Sequence, residues 1–458
     1  MAAGGGSCCD TVALSISIVR DRIADAGFES QGCGAATAAG SAAVTRIRGQ
    51  TVLDAARVGP KEIAAELGGL SPGKLHAAEV AGDALARALG AAVRARGELE
   101  PGPGGRRLVA MSGGVDSAVA GLLCARAGDT AAVTLELWAD SENDAERSCC
   151  SASAVAQARA VAHSMGMAHF TIDLRDEFRA GVVEPFIAGF AQGETPNPCV
   201  GCNGHVRLDA MLELADRLGC ETLATGHYAR IAESDHDRGP LLRVAADPAK
   251  DQTYMLAALS PRSLARMRFP LGDLTKPKVR RVAAEAGLPV AAKADSQDLC
   301  FLAGTDRGRF LERHGGLGDR VGSIVDRDGA VLGRHRGQHR FTVGQRRGLE
   351  YAGGEPLYVL EKHPGSNTVV VGPRECLRSC EVRLRGARLR REPARVDRVK
   401  LRYHSKPIPA RVREAPEDVR SVTIDLDEPA DTVAPGQIAC LMDGEIVIGW
   451  GTIARAAR

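Results

Sequence analysis

Two cysteines three apart, Cys199 and Cys202, stand among prolines in "ETPNPCVGCN", a third, Cys300, closes "DSQDLCF", and a glycine pair between hydroxyls and an aspartate lies upstream in "SGGVDS" (112–117). Thiolates are soft nucleophiles and metal ligands at neutral pH. Pro196, Pro198 and Gly201 put Cys199 and Cys202 in a loop, where thiols are reachable, whereas Cys124 and Cys440 sit inside apolar runs and read as small buried hydrophobes. In "SGGVDS", Gly113 and Gly114 let the backbone approach a phosphate where a strand meets a helix, so amides and hydroxyls face an anion. The lysine and spacing of the other common nucleotide loop are missing. A plain Gly-Gly turn with Asp116 as helix cap is the bland alternative.

These groups need a scaffold of several parts. A chain of 458 residues exceeds one compact core and implies two to four domains. With 44% hydrophobic and 25% charged residues and no apolar run long enough to cross a bilayer, the composition is that of a soluble protein with no membrane partner. The first residues carry no secretory pattern, so a cytoplasmic location is expected. There the thirteen cysteines favour thiol, metal or cluster chemistry over disulfides. A net charge of +2 means that any nucleic-acid surface comes from local patches.

The break "RGELEPGPGGRR" (96–107) reads as a linker. Before it, an alternating stretch "DTVALSISIV" and an alanine-rich closing helix predict a small α+β domain. After it, "RRLVAMSGGVDSAVAGLLCARAG", "AAVTLELW" and "HFTIDL" alternate strand and helix, predicting a parallel α/β sheet. From about Gly315, short runs with turn signals such as "GSIVDRDGAVLG" and "EIVIGWGTI" predict a β-rich, barrel-like end. The expected multidomain organisation is therefore 1–97 α+β, 98–107 linker, 108–305 α/β and catalytic, 306–375 a small central domain, and 376–458 a C-terminal β-barrel.

"SGGVDS" resembles the pyrophosphate loop of enzymes that cleave ATP between the α and β phosphates to adenylate a carbonyl. With "ETPNPCVGCN", "ATGHYAR", "KDQTYML", "DSQDLCF" and "FTVGQRRGL" in order, the chain from about Leu108 onward resembles the tRNA-specific 2-thiouridylases of the MnmA family. That resemblance implies adenylation of a wobble uridine at O2 and transfer of sulfur to C2, with tRNA and a sulfur donor such as a cysteine desulfurase as partners, and ATP with Mg2+ as cofactors. It implies ATP contacts at Ala110, Met111, Ser112, Gly113, Gly114, Val115, Asp116, Ser117, Leu135 and Gly226, and tRNA contacts at Asn197, Pro198, Cys199, His227, Lys250, Asp251, Gln252, Arg402, Tyr403 and Gln437. Cys202 would be the nucleophile, Cys300 the persulfide carrier, and Asp116 part of the catalytic loop. The basic run "RLRGARLRREPARVDRVKLRYHSK", taken alone a solvated strand face, then supports phosphate contacts.

Many members of that family carry aspartate where this chain has Cys199. The CxxC variant leaves two readings: Cys199 is a spare thiol beside a persulfide pair, or Cys199, Cys202 and Cys300 ligate a 4Fe-4S cluster with one iron open to sulfide. The cluster is favoured, because three converging thiolates are costly without a metal centre. Zinc through Cys199, Cys202 and His205 is a weaker option. Residues 7–95 resemble the iron-sulfur scaffolds of the IscU/NifU N-terminal type, implying a labile site at Cys8, Asp10 and Cys33; the family's third cysteine is Ala77 here, so His76 or Cys9 would complete it. Such a fusion tethers a donor near its acceptor; the bland alternative is a degenerate domain kept for docking a cysteine desulfurase or stabilising the fusion. Competing functions are another pyrophosphate-loop enzyme, an amidotransferase or ligase, which leaves the paired cysteines unexplained, and an iron-sulfur carrier with an inactive appended domain, which explains only the N-terminus.

Overall fold

A computed structural model describes residues 2–5, 10–96, 99–101, 105–140, 151–232, 238–295, 299–302, 304–349, 351, 355–414, 421–431 and 433–455. The chain divides into two compact units: Met1–Asp176, Arg207–Tyr228 and Arg266–Ala303 in the first, Glu177–Val206, Ala229–Ala265 and Gly304–Arg458 in the second. The expected 108–305 domain is thus shared between them.

The first unit opens with an antiparallel sheet of β1 (Ala2–Gly5), β2 (Thr11–Val19) and β3 (Arg22–Gln31). Alternation in β2 buries Val12 and Leu14 on one face. Helix α1 (Gly34–Ile47) lays small residues on that sheet; at Gly40 a Cβ would stand 2.6 Å from the Phe28 ring, so only glycine lets helix and strand meet. Short helices α2 (Val52–Ala55) and α3 (Pro60–Glu66) lead to the long α4 (Leu75–Arg96).

A parallel sheet follows, in the order β10 (Met267–Arg268), β7 (Cys220–Ala224), β4 (Arg106–Ala110), β5 (Thr130–Glu136), β6 (Ala168–Asp173). Every residue of β5 is buried, as expected of a strand covered on both faces. Helices α5 (Val115–Ala127) and α6 (Ala152–Ser164) are the first crossovers.

The open edge of this sheet, β6, is covered by the N-terminal domain. His169 donates its main-chain N–H to Ala56 O (2.9 Å), His163 Nε2 donates to the same carbonyl (3.0 Å), and Arg94 donates to Asp173 O (3.1 Å). Gly90 of α4 faces Thr171 O so closely that a Cβ would lie 2.1 Å from it. A charge chain crosses the same boundary: Arg159 to Asp83 at 2.9 Å, Asp83 to Arg87 at 3.2 Å, Arg87 to Glu136 at 2.6 Å. An uncovered edge strand would present unpaired main-chain groups. The domain expected to be tethered by a linker is therefore a docked layer of the α/β sheet.

In the second unit, β11 (Gly322–Val325), β12 (Val331–His335), β13 (Tyr358–His363) and β14 (Thr368–Gly372) form a sheet in the order β12-β11-β14-β13 around Ile324, Phe341, Val359, Val369 and Val371. The C-terminal strands β15 (Ser379–Leu389), β16 (Arg398–Lys400), β17 (Ile408–Glu414), β18 (Ser421–Ala430), β19 (Ile438–Asp443) and β20 (Ile446–Ile453) run in the order β15-β18-β17-β16-β19-β20, and β15 pairs back to β20. That pairing closes a barrel with an aliphatic core, and a closed barrel has no edge to protect. The hairpin β8 (Arg230–Ala232) and β9 (Leu241–Arg243) extends β20, which is why Ala229–Ala265 clusters with the barrel.

Candidate active site

In the first unit, the chain leaves β4 at Ala110 and enters α5 at Val115 through Met111, Ser112, Gly113 and Gly114. Gly113 has φ +69, and a Cβ there would meet Ala154 O at 2.6 Å, so both conformation and space demand glycine. Ser117 Oγ accepts from Ser112 N (3.1 Å) and donates to Gly114 O (3.1 Å), folding the loop over the helix N-terminus. Gly114 is the N-cap and offers no side-chain cap, so main-chain amides remain at that end. Gly226 abuts the loop from beyond β7: a Cβ there would stand 2.7 Å from Ser117 N. Leu135 is buried in β5.

Asp116 is not the cap. It lies in the first turn of α5, accepting from Lys276 Nζ at 2.7 Å to both oxygens and from Tyr228 Oη at 2.7 Å. Lys276 also pairs with Asp295 (2.9 Å), which Arg280 meets at 2.8 Å, and Lys293 donates to Gly113 O (2.9 Å) and Gln157 (2.7 Å). Lys293 thus touches the glycine loop itself and Lys276 the first turn of the helix it leads into, with Arg280 one partner removed through Asp295. The sequence reading missed Lys276, Lys293 and Arg280; Lys293 stands two residues before the quoted "DSQDLCF", the nearest thing to a signal. Cys300, in a turn of this unit, is half-buried, and Ser296 to Asp298 lie outside the described residues. His227 shares a hydrogen bond with Thr225 Oγ1 (2.8 Å), and burial first, then the nearby charge of Arg207, lowers its pKa.

In the second unit, Asn197 caps a short helix, Pro198–Gly201, its Oδ1 accepting from Cys199 N (3.1 Å). Cys199 is half-buried; Cys202, on the next turn, is 6% exposed. Asn203 donates to Met255 O (3.1 Å). Tyr403 hydrogen-bonds Gln252, and its pKa is raised by burial first and then by the nearby Asp251 and Cys199. Asn197, Cys199, Gln252 and Tyr403 are therefore neighbours, while Arg402 is exposed and Lys250 half-buried. Asp251 is 5% exposed and saturated by Ala245 N, Thr253 and Lys400, so its carboxylate ties loops together. Gln437 donates its amide to Thr195 O at 2.6 Å. His205 is exposed, and among the described residues neither it nor Cys199 and Cys202 joins a trio of metal donors.

At the N-terminus, Asp10, Cys33 and His76 bring one donor atom each within 4.8 Å of one another. Asp10, 6% exposed, accepts from Cys33 N (2.9 Å) and Cys33 Sγ (3.2 Å) and meets His76 Nε2 at 3.2 Å. The expected ligand Cys8 and the alternative Cys9 lie outside the described residues. Ala77 is fully buried where a third thiol was expected.

A glycine turn between a parallel strand and a helix, a CxxC turn, two β-domains and an N-terminal trio of metal-donor side chains mark a multidomain protein with several distinct sites. Family models agree: a NifU-like N-terminal domain matches residues 1–96, a tRNA methyl transferase HUP domain 106–304, the PRC-barrel domain of the same group 308–373, and an aminomethyltransferase β-barrel domain 374–453. The "Bifunctional protein NifU/MnmA" of Rubrobacter xylanophilus is 44% identical over 99% of this chain and 93% of its own length. The "tRNA-specific 2-thiouridylase MnmA" of Chloroflexus aggregans is 43% identical over 76% of this chain and 98% of its own. A solved U34-tRNA thiolase, NcsA from Methanococcus maripaludis with its 4Fe-4S cluster, matches at 17% identity over 49% of this chain and 70% of that one, with a TM-score of 0.29, too slight a likeness to carry inference. The chain belongs to the bifunctional NifU/MnmA family.

Proposed function

We propose that this protein is a tRNA-uridine 2-sulfurtransferase. ATP lies with its phosphates on the 112–117 loop, its charge balanced by Mg2+ and by Lys276, Lys293 and Arg280. The uridine O2 attacks the α-phosphorus, the α–β bridging bond breaks and pyrophosphate leaves; sulfur then bonds to C2 and the C2–O bond breaks, releasing AMP. Adenylation turns a poor leaving group into one that fixed cations and amides stabilise. The observation that carries this reading is the glycine loop held by Ser117 with Lys276 and Lys293 beside it, in a chain whose relatives are named 2-thiouridylases. Tyr403, Gln252 and Asn197 border the target base, and exposed arginines such as Arg402 meet tRNA phosphates.

Sulfur chemistry falls to Cys199, Cys202 and Cys300. Cys199 and Cys202 on successive turns behind the Asn197 cap are soft donors suited to an iron-sulfur centre, with Cys300 as third ligand. Such a cluster, when bound, supplies an iron open to sulfide. The Asp10, Cys33 and His76 donors fit a single divalent ion, and the N-terminal domain supplies metal or sulfur received from a donor such as a cysteine desulfurase. The test is anaerobic reconstitution of wild type and Cys199→Ala, following iron content, visible absorbance and thiouridine yield with free sulfide. The variant should lose all three. An iron-free wild type turning over at full rate would exclude the cluster, and pyrophosphate release independent of tRNA would exclude the enzyme assignment.

A further inference from the structure

The segment that delivers the cysteines is held from both β-domains. The helix before it, Glu184–Ala191, ends with the carbonyls of Phe190 and Ala191 accepting from Gln338 Nε2 at 3.1 and 3.2 Å. Glu194, 9% exposed, accepts at its main-chain oxygen from Lys362 Nζ (3.4 Å) and pairs its carboxylate with Arg385 (2.6 Å). Thr195 donates N–H to Pro435 O (2.8 Å), and its carbonyl accepts from Gln437 Nε2 (2.6 Å). The barrel approaches so closely that a Cβ on Gly436, at φ +91, would stand 2.9 Å from Glu194 Cβ and 3.0 Å from Thr195 N. Lys362 is itself held by Phe341 O (2.9 Å) and sits 5.7 Å from the Phe190 ring centroid. Asn197 and the cysteine turn follow at once.

We infer that Gln437, Lys362 and Arg385 form a clamp on Glu194 and Thr195 that positions Cys199 and Cys202, so that the two β-domains set the reach of the sulfur-handling thiols. Gln437, expected from family resemblance to touch tRNA, is on this account a positioning residue: one N–H of its amide holds the Thr195 carbonyl, and losing it frees the segment just ahead of the Asn197 cap. Buried polar contacts in such a hub specify one geometry, because each partner left alone is costly. The inference rests on the reading of Cys202 and Cys199 as reactive thiols.

The experiment separates the two. Wild type, Gln437→Ala and Gln437→Glu, the last placing an acceptor against the Thr195 carbonyl, are compared in three ways. Alkylation of Cys199 and Cys202 by iodoacetamide is followed by mass spectrometry without ATP or tRNA, tRNA affinity by filter binding, and thiouridine formation in single turnover at saturating tRNA. A loosened clamp should raise alkylation of Cys199 about tenfold, lower the single-turnover rate by roughly 10- to 100-fold, as misplacement by about an ångström does, and leave tRNA affinity within about twofold. Unchanged alkylation with weakened tRNA binding and a normal rate at saturation would overturn the clamp and make Gln437 a tRNA contact. Raised alkylation with a normal single-turnover rate would uphold the clamp while removing these cysteines from sulfur transfer. Arg385→Met, at an exposed position of β15 whose side chain pairs with Glu194, repeats the comparison if the Gln437 variants fail to fold.

Discussion

Asp83→Ala should uncouple the N-terminal domain from the sheet it covers, and the size of the effect follows from one buried charge. Arg159, on α6, is 3% exposed and meets Asp83 of α4 at 2.9 Å; Asp83 also holds Arg87, which reaches Glu136 at 2.6 Å. Removing the Asp83 carboxylate leaves a buried guanidinium without its counter-charge. Breaking a buried pair in this way costs about 3–5 kcal/mol. Against a total stability on the order of 5–15 kcal/mol, that is a large fraction. For a unit of this size each kcal/mol moves the midpoint by about 2–4 °C, so the first transition in a thermal scan should fall by roughly 6–20 °C. Limited proteolysis should then cut around residues 97–104 faster than in wild type. Asp83→Asn, which keeps the shape but not the charge, should lie between. A midpoint within about 2 °C of wild type and unchanged proteolysis would mean that the domain is tethered rather than docked, and would refute the account of β6 as an edge covered in cis.

Two further outcomes follow. Gly226→Ala forces a methyl to within 2.7 Å of Ser117 N and 2.8 Å of Asp116 C, both backbone, so the phosphate loop must shift; tRNA-dependent pyrophosphate release should weaken about tenfold or more in its ATP dependence while tRNA affinity holds, and a normal KM for ATP would place the nucleotide elsewhere. Burial first, and then the charges of Arg307 and Arg455, lowers the pKa of Lys362 to about 7 from 10.5, so between these values the unfolded chain binds a proton that the folded one does not. Stability of the second unit should rise with pH across that window, and Lys362→Met should flatten the slope; an unchanged slope in urea titrations at pH 7 to 9.5 would show that this lysine titrates normally.

What could be read from sequence was what neighbouring residues decide. The turn geometry of "SGGVDS" was legible because a strand, a left-handed glycine and a helix N-terminus are consecutive in the chain. The role of Asp116 was not, because Lys276, 160 residues away in the chain, supplies its partner, and a lysine before a proline at a helix start carries no mark of it. The alternation that announced the C-terminal barrel extends over long strands, whereas β8 and β9 have three residues each and gain their place only by pairing with β20, so the division of residues 177–265 between two units left no local trace. Helix α4 shows the same limit most clearly. Asp83 and Arg87 are spaced as a solvated i,i+4 pair, and Gly90 reads as a weak point in an alanine-rich helix. Each takes its meaning from the sheet opposite: Arg159 and Glu136 complete the charges, and the Thr171 carbonyl excludes any side chain at Gly90. A helix that looks built for water is in this protein built for an edge, and the docking that hides β6 places the Asp10, Cys33 and His76 donors in the same compact unit as the 112–117 loop.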